Sequence, residues 1–352
     1  MDQMGLEHET RDLTAYLKAQ FNLMHAREKR EIAQSAKSDR PWHLDVQRYY
    51  TSAEVTQWLD EMEKSFPSVL TVGTLGTSFE GNDLTYASIG LPADESKHTV
   101  FIDGGMHGRE WVSVSVAMWT IYELASNWTE YEDLLKKVDV VVAPLLNPDG
   151  YDFSRSKWFH RFWRKTRSGP NCRPKLGCCY GADPNRNFPI AFAGEKTTDN
   201  PCLPLYHGGA PLSEIECQNL ASFLRARKRE IKAYISLHSF GQFLVFPWGY
   251  RASSYPENVQ QLNETASVAA DAMEAVHGRK FVFGNAADVF YPAGGASDDF
   301  AKSLGIDYSY TLELRPTEFP PGFFLDVDEI LPACEEAFQG ILAIADKVAG
   351  DR

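Results

Sequence analysis

The stretch HTVFIDGGMHGREW, residues 98–111, predicts the architecture of the whole chain. A short apolar run at 98–104 is typical of a buried strand, and an apolar stripe at helical spacing begins at Trp111. A glycine-rich loop joins the two. Short apolar strands and amphipathic helices alternate in this way along most of the sequence. Such alternation predicts a three-layer α/β domain, with polar loop residues collecting at the strand ends.

The alternation defines two parts of the chain. Helical periodicity is found at 52–65, 111–125, 213–228, 257–277 and 327–347. Apolar strand patterns are found at 68–74, 84–91, 98–104, 138–145, 232–238, 243–247 and 307–314. Ahead of them, residues 9–32 form a charged helical pattern with one apolar stripe: Leu13, Leu17, Phe21 and Met24. A polar linker at 33–40 follows. We therefore expect an N-terminal helix and linker at 1–41 and a main domain at 42–352.

Charge and apolar content exclude several classes of protein. The 352 residues carry 48 acidic against 35 basic side chains, a formal charge of -13, whereas binding to nucleic acid needs a basic surface. An apolar content of 43% is ample for a large core. No stretch approaches the ~20 apolar residues that a membrane helix requires. We expect a globular protein that binds neither nucleic acid nor a membrane.

The compartment is left open by the residues alone. Six cysteines and the sequons at Asn127 and Asn263 are compatible with an oxidising, glycosylating compartment. The polar, acidic start MDQMG lacks the apolar run of a secretory signal. A secreted and a cytosolic protein therefore fit these features equally.

Three residues at predicted strand ends can hold a metal ion. His107 and Glu110 lie three positions apart just after a strand, and His238 closes the apolar run 233–237. A catalytic zinc takes three ligands of this kind plus water. Taken singly, the residues have ordinary alternatives: a solvated loop for His107 and Glu110, and a buried, hydrogen-bonded histidine for His238.

Glu313 is a candidate base for such a site. It alternates with apolar neighbours near the end of the predicted strand 307–314. Burying a carboxylate is costly unless it is paired or functional. A zinc hydrolase needs a group that takes a proton from water. The alternative is an exposed glutamate at a strand terminus.

Six motifs occur in the order found in one enzyme family. They are HGREW (107–111), NPDG (147–150), RFWRKTR (161–167), DPNRN (183–187), HS (238–239) and TLELR (311–315). Over about residues 42–349 the chain thus resembles the carboxypeptidase A/B family of zinc exopeptidases. The resemblance implies a three-layer α/β/α fold with a central mixed, mostly parallel twisted sheet, and one Zn²⁺. It also implies a secreted, monomeric enzyme that acts on the C termini of peptides or proteins and is made as a zymogen.

The resemblance assigns the reaction machinery residue by residue. It implies zinc ligands at His107, Glu110 and His238, with the Asp183 carboxylate orienting His107. Glu313 matches the general base and proton shuttle. Arg164 matches the cation that polarises the scissile carbonyl.

Further positions match contacts to the substrate. Asn185 and Arg186 match the clamp on its terminal carboxylate, and Tyr291 matches a mobile tyrosine that covers the terminal residue. The subsites upstream of the scissile bond match a further set: Arg109, Ser239, Phe240 and Phe323. The family usually has Tyr where Phe240 stands. Pro316 replaces a common Asp, and the segment 317–321 is one residue longer.

Position 298 decides the implied specificity. B-type members of the family place Asp at the floor of the pocket for the terminal side chain, where it pairs with Lys or Arg, whereas A-type members place an apolar residue there. Asp298 therefore implies a B-type preference, and we expect a structural role for Asp299. A helix cap is the alternative for Asp298. Phe290 and Gly249 resemble apolar-selective pockets, so apolar or broad specificity stays open.

The resemblance also has implications for the N-terminal region and for the cysteine pairings. Residues 9–32 resemble the helix that ends a prodomain, with a possible protease site at 27–30. We expect the sequence to lack the folded inhibitory part of the prodomain and the signal peptide. Cys179 and Cys202 match a recurrent disulfide. Pairing Cys172 with Cys178 and Cys217 with Cys334 is arithmetically possible.

Ordinary interpretations remain for parts of the motifs. Arg161, Arg164 and Arg167 can form a solvated charge run, and we expect this of Arg167. Phe162 and Trp163 are expected to pack, and Asp149 with Gly150 to make a turn. Two other functions compete with the exopeptidase: a zinc-free binding protein on the same fold, and a zinc hydrolase that removes an acyl group from an amino acid.

Overall fold

The computed structural model describes residues 14–27, 40–93, 95–175, 177–320 and 322–351. The helices of these ranges are 14–27 (α1), Ser52–Ser65 (α2), Trp111–Ser126 (α3), Glu132–Leu135 (α4), Pro148–Ser156 (α5), Ile215–Arg227 (α6), Val259–His277 (α7), Ala286–Val289 (α8), Ser297–Ser303 (α9) and Ile330–Gly350 (α10). The strands are Leu70–Thr77 (β1), Asp83–Ile89 (β2), His98–Asp103 (β3), Val138–Ala143 (β4), Asn171–Arg173 (β5), Gly177–Cys179 (β6), Ile231–Ser239 (β7), Phe243–Phe246 (β8), Val282–Asn285 (β9) and Tyr308–Leu314 (β10).

One eight-stranded sheet forms the centre of the molecule. Its strand order is β1-β2-β4-β3-β7-β10-β8-β9. The pairs β3–β4, β3–β7, β7–β10 and β8–β9 are parallel. The pairs β1–β2, β2–β4 and β8–β10 are antiparallel. The predicted mixed, mostly parallel sheet is confirmed, and β5 and β6 form a separate hairpin.

Helices cover both faces of the sheet. Along β3, Val100 and Ile102 pack into an apolar cluster with α2, α3, α7 and α10. The residue between them, Phe101, points into a second cluster with α6 and α9. Since successive strand residues face opposite sides, a strand buried on both faces is apolar throughout, which explains the unbroken run VFI. The three-layer prediction is confirmed.

One local prediction is wrong, and one strand of the central sheet was not predicted. The prediction of a turn at Asp149 and Gly150 is wrong, because α5 begins at Pro148. Asn147 caps this helix by accepting a hydrogen bond from Gly150 N at 2.9 Å, and proline is suited to the first helical position. Strand β9 was not predicted, because its four residues VFGN are too few and too mixed to show a period.

Helix α1 packs against the rest of the chain. Phe21 and Met24 are buried in the same apolar cluster as α2 and α10, as expected from the predicted stripe. Arg27 pairs with Asp326 at 3.1 Å. The remainder of the predicted helix 9–32, the linker up to residue 39 and residues 28–30 of the possible protease site lie outside the described residues.

The cysteines form two disulfides. The predicted Cys179–Cys202 bridge is confirmed, and Cys172 pairs with Cys178. The possible Cys217–Cys334 pair does not form, and both remain buried thiols. Cys217 packs in the apolar layer of α6 and Cys334 in the layer of α10, so the sheet separates them. No helix in the described ranges has the length and apolarity that crossing a membrane requires.

Candidate active site

Three neighbouring parallel strands bring the candidate residues to one edge of the sheet. His107 and Glu110 follow β3, His238 lies near the end of β7, and Glu313 lies near the end of β10. The register of β7 and β10 places Glu313 directly beside His238. Side chains at paired positions share a face, so the candidate base and a candidate metal ligand are neighbours by strand register alone.

Close backbone packing holds the loops around this edge together. A Cβ atom on Gly108 would lie 2.3 Å from the carbonyl oxygen of Gly150 and 3.0 Å from that of Trp163. Only glycine permits such an approach. Asn147 joins the same loops, because its Nδ2 donates to Met106 O and to Lys165 O, each at 3.1 Å. The motifs HGREW, NPDG and RFWRKTR therefore form one unit.

His107, Glu110 and His238 form a buried cluster whose ligand atoms lie within 4.8 Å of one another. Glu110 Oε1 is 2.9 Å from His107 Nδ1, and Glu110 Oε2 is 3.0 Å from His238 Nδ1. The two Nδ1 atoms face each other at 3.1 Å. All three side chains are less than 5% exposed.

The hydrogen bonds made by the Nε2 atoms of His107 and His238 decide whether their Nδ1 atoms are free to bind a cation. His107 Nε2 donates to Asp183 Oδ1 at 3.1 Å. Ser236 Oγ donates to Asp103 Oδ1 at 2.8 Å, so it accepts from His238 Nε2 at 3.0 Å. With both rings neutral, each Nδ1 then presents a lone pair toward the Glu110 carboxylate. Three converging acceptors from two imidazoles and one carboxylate fit a catalytic zinc site.

Electrostatics favour a neutral His107 and an ionised Glu110, whereas at His238 burial is outweighed by the hydrogen bond to Glu110, which raises the pKa of the ring. Burial lowers the pKa of His107, and the Arg164 charge adds to this, which favours the neutral ring. Burial by itself would raise the pKa of Glu110, but the His107 and His238 rings hold it well below its ordinary value. The carboxylate is therefore ionised over the physiological range.

Arg164 and Asp183 form an ion pair next to the cluster. Arg164 Nε donates to Asp183 Oδ2 at 2.7 Å, and Arg164 Nη1 lies 3.6 Å from Glu110 Oε1. Burial opposes the charge on Asp183, yet Arg164 and His107 together hold its pKa well below the ordinary value. The pair places a guanidinium at the cluster and fixes the orientation of His107.

Glu313 has the environment of a proton acceptor. Burial and the charge of Glu110 raise its pKa to about 7. A carboxyl group of this kind can both take and return a proton near neutral pH. It lines the same pocket as Arg164 and His107.

That pocket also contains half of the predicted substrate contacts. Its lining comprises His107, Arg164, Asn185, Arg186, Val245, Gly249, Ala286, Phe290, Tyr291, Ala293, Ala296, Asp298, Thr311 and Glu313. Asn185 Oδ1 accepts a hydrogen bond from Ser297 N at 2.9 Å, which joins the DPNRN turn to the start of α9. Arg186 Nη1 donates to Asn185 O at 2.6 Å. Tyr291 stacks beside Phe290, with ring centroids 4.2 Å apart.

Asp298 and Asp299 occupy different environments within α9. Asp298 is 3% exposed, lines the pocket and accepts a hydrogen bond from Asp299 N. Its pKa is raised by burial. The helix cap is Ala296. Asp299 accepts from Gly249 N at 2.8 Å and so braces the loop that carries Gly249.

The other predicted substrate contacts lie outside this pocket. Ser239 N donates to Glu110 Oε2 at 3.2 Å. The guanidinium of Arg109 lies over the Phe323 ring at 4.3 Å, and Phe240 meets the same ring edge-on at 4.9 Å. The structure thus divides the predicted contacts into a pocket group and a second group beside the metal-ligand cluster.

The alternative of a solvated charge run at 161–167 does not hold, and the expectation of a solvated Arg167 is wrong. Arg161 is fully buried, donates to Arg109 O at 2.6 Å and to Phe323 O, and lies 3.6 Å from the Trp111 ring. Arg167 stacks over the Phe153 ring at 3.8 Å. The alternation of arginine with aromatic residues in RFWRKTR was the only signal for this in the sequence.

Asp149 is a further structural residue that the sequence did not predict. It accepts hydrogen bonds from Ser78 Oγ at 2.6 Å, Glu80 N at 2.8 Å and Asn82 Nδ2 at 2.8 Å. It therefore ties the loop between β1 and β2 to α5. These partners lie about seventy positions away in the chain, beyond the reach of a local pattern.

Comparison with known proteins gives consistent matches. The profile of the family described as Zinc carboxypeptidase matches residues 55–340. Carboxypeptidase B of Astacus astacus is 37% identical over 306 residues, covering 87% of this chain and 98% of the relative. Carboxypeptidase A2 of Rattus norvegicus is 36% identical over 324 residues, covering 91% and 75%. The crystal structure of carboxypeptidase A from Helicoverpa armigera superposes with a TM-score of 0.86 at 29% identity, covering 96% of this chain and 81% of that one.

Proposed function

Because the chain belongs to the zinc carboxypeptidase family, we propose that this metallocarboxypeptidase removes C-terminal Lys or Arg from peptides and proteins. The C-terminal exopeptidase reaction and the use of one Zn²⁺ follow from the family. The choice of terminal residue does not, since B-type and A-type relatives match almost equally well.

Asp298 is the observation that carries the proposal. Its carboxylate is buried in the wall of the pocket, and among the described residues no lysine or arginine forms an ion pair with it. An unpaired buried carboxylate is costly, and a cationic side chain that enters the pocket removes this cost. A leucine or phenylalanine side chain would leave it in place.

The apolar part of the pocket is compatible with a cationic guest. Val245, Ala286 and Phe290 line it together with Asp298. Lysine and arginine carry their charge at the end of an apolar stem, which can pack on such walls. The same lining supports the competing function, removal of apolar or varied C-terminal residues, which needs no role for Asp298.

The proposed reaction uses residues on both sides of the cluster. His107, Glu110 and His238 would hold the zinc, which would supply Lewis-acid activation of water and of the scissile carbonyl. Glu313 takes the proton from the attacking water and delivers it to the leaving amine, which suits its near-neutral pKa. The Arg164 guanidinium stabilises the negative charge that develops on the carbonyl oxygen.

The remaining pocket residues position the terminal residue. Asn185 and Arg186 bind its carboxylate, for which a planar guanidinium provides paired donors. Tyr291 covers it. Outside the pocket, the chain upstream of the scissile bond is contacted by a second set: Arg109, Ser239, Phe240 and Phe323.

The test compares kcat/KM for matched peptides that end in Arg, Lys, Leu, Phe or Glu, with zinc content measured on the same sample. Peptides ending in Arg and Lys are expected to exceed the others by roughly 10- to 100-fold, the range for a charge-assisted contact in a closed pocket. Faster release of Leu or Phe would establish the competing specificity. Absence of both zinc and turnover would instead favour a binding protein on this fold.

We also propose the domain organisation, the cellular location and the oligomeric state of the enzyme. We divide the chain into 1–41 and a catalytic domain at 42–352, and the burial of Phe21 and Met24 supports docking of the first part on the second. Two disulfides support secretion, because such bonds persist in oxidising compartments. We also expect a monomer. Sedimentation of the native protein tests its oligomeric state, and non-reducing mass spectrometry tests the two disulfides.

A further inference from the structure

The chain contains two N-x-T sequons that the proposed reaction does not use, one at Asn127 and one at Asn263. Their environments differ. Asn127 caps the C-terminal end of α3 and is half-buried, and its Nδ2 donates to Glu123 Oε2 at 2.9 Å. The next residue, Trp128, packs against the apolar cluster of α3 and α10. A sugar attached to Asn127 would therefore crowd a packed side chain.

Asn263 lies on the outer side of α7. In this turn the helix buries Leu262, Thr265 and Ala266, whereas Asn263 and Glu264 are exposed. Within the described ranges, the Asn263 side chain makes no hydrogen bond. Its amide is open to solvent, so a bulky substituent can extend from it without moving a neighbour.

The position of α7 keeps such a substituent away from the catalytic pocket. The helix packs on the face of the sheet toward which Tyr310 and Leu312 point. Tyr310 Oη donates to Leu262 O at 3.0 Å, which fixes the first turn of α7 on that face. Successive strand residues face opposite sides, so Glu313 points to the other face. The helix and the sheet therefore separate Asn263 from the chemistry.

We propose that Asn263, and not Asn127, is N-glycosylated when the chain passes through the secretory pathway. The proposal rests on the secretion proposed above. In the reaction, Asn263 Nδ2 displaces the diphosphate from C1 of a lipid-linked oligosaccharide diphosphate. The C1–O bond breaks, the N–C1 bond forms, and the transferring enzyme takes the amide proton. The glycan then lies on the outer side of α7 and leaves the pocket open.

The burial of Thr265 determines when this reaction occurs. Its hydroxyl completes the sequon, yet the side chain is 4% exposed and belongs to the buried side of α7. An enzyme that recognises this hydroxyl can reach it only before the helix packs. Asn263 is therefore glycosylated on the unfolded chain, and folding then hides Thr265 and leaves the glycan in solvent.

The experiment directs the full chain into the secretory pathway of eukaryotic cells with a heterologous signal peptide. Intact mass is measured before and after treatment with a peptide-N-glycosidase. We expect a single glycan, whose release leaves Asp in place of Asn at position 263 in the peptide map. Asn263→Gln and Thr265→Val should each abolish it, since valine keeps the volume of threonine and lacks the hydroxyl. Thr265→Ser should retain it, and Asn127→Gln, the matched control, should leave the mass shift unchanged.

Peptide hydrolysis by the same preparations separates this proposal from the proposed enzyme. Asn263→Gln should leave kcat/KM unchanged. A chain with both disulfides and full turnover but no glycan would overturn the site and leave the exopeptidase. A glycan that survives Asn263→Gln, or one that Asn127→Gln removes, would overturn the assignment to Asn263. A glycosylated chain without a preference for Arg or Lys would instead overturn the specificity and leave the site.

Discussion

Two groups of buried carboxylates surround the cleft, and their environments are opposite. Glu110 and Asp183 lie among imidazole rings and a guanidinium, which hold their pKa values well below the ordinary range although burial acts the other way. Glu313 and Asp298 line the pocket, and burial, their largest influence, raises their pKa values. The first group has its cationic or hydrogen-bonding partners within the chain.

The second group forms no ion pair among the described residues, so a cationic partner must come from outside. Burial penalises a charge wherever it occurs, so the sign of the pKa shift reports whether the fold supplies compensation. For Glu313 we propose that the outside partner is a proton from water, and for Asp298 that it is a cationic side chain of the substrate. Carboxylates of the first group should therefore be needed for metal binding, and those of the second for turnover and selectivity.

The largest effect is expected from His238→Ala, which breaks the paired group. Loss of one of three ligands should abolish stoichiometric zinc binding and reduce peptide hydrolysis to background. Metal analysis and a turnover assay on the same preparation measure both. His277→Ala is the matched control, since His277 is a partly exposed histidine paired with Glu335 on α10. A His238 variant that retained full zinc and full turnover would remove this residue from the site.

Glu313→Gln tests the second group without disturbing the first. The variant should retain one zinc but lose roughly 10²–10⁴-fold in kcat, because the amide cannot accept the proton from water. Glu264→Gln, an exposed glutamate on α7, should change neither quantity. A near-normal kcat for Glu313→Gln would return Glu313 to a structural role.

Asp298→Asn tests whether the unpaired pocket charge selects the substrate. The ratio of kcat/KM for peptides ending in Arg and in Leu should fall by roughly 10- to 100-fold, since the amide keeps the size of the side chain and loses its charge. Asp299→Asn is the neighbouring control. The carbonyl oxygen of the new amide can still accept from Gly249 N, so the ratio should stay unchanged. An unchanged ratio in the Asp298 variant would favour apolar or broad specificity.

The smallest effect concerns a carboxylate without an ion pair that lies outside the catalytic pocket. Glu216 on α6 accepts from Phe79 N, but its Oε2 is buried without a hydrogen-bond partner among the described residues, and burial raises its pKa to about 7. The folded protein therefore binds this proton more tightly than the unfolded chain does. This contribution to stability is full below about pH 4.5, falls as pH rises to about 7 and is then constant.

Glu216→Gln should remove that pH dependence. We expect the variant to match the native protein near pH 5 and to exceed it by about 1–3 kcal/mol near pH 8, measured by thermal unfolding at both pH values. Glu214→Gln is the paired contrast, because the Glu214 carboxylate accepts from Ser168 Oγ at 2.6 Å and its loss should destabilise the protein. Stabilisation by both substitutions, or by neither, would contradict the distinction between paired and unpaired carboxylates.

Much of the fold and of the candidate site could be predicted before the structure was known. The apolar runs of β3, β7 and β10 are local patterns, and the positions of His107, His238 and Glu313 after or within them are visible in the sequence. Strand β9 and helix α5 were missed, because one is short and the other begins at residues that also favour a turn. Both errors come from segments in which local preference is weak.

The sequence by itself determined the residue types of a zinc hydrolase, their order and the strand ends that carry them. Only the tertiary structure decided which charges are compensated. Arg161 resembles a solvated arginine in its own segment, yet it is buried against a carbonyl 162 positions away. The pairing of Cys172 with Cys178 and the separation of Cys217 from Cys334 were decided in the same way. Periodicity and motifs are properties of neighbouring residues, whereas the free energy of a buried charge, thiol or ring depends on the distant segment that the fold places against it.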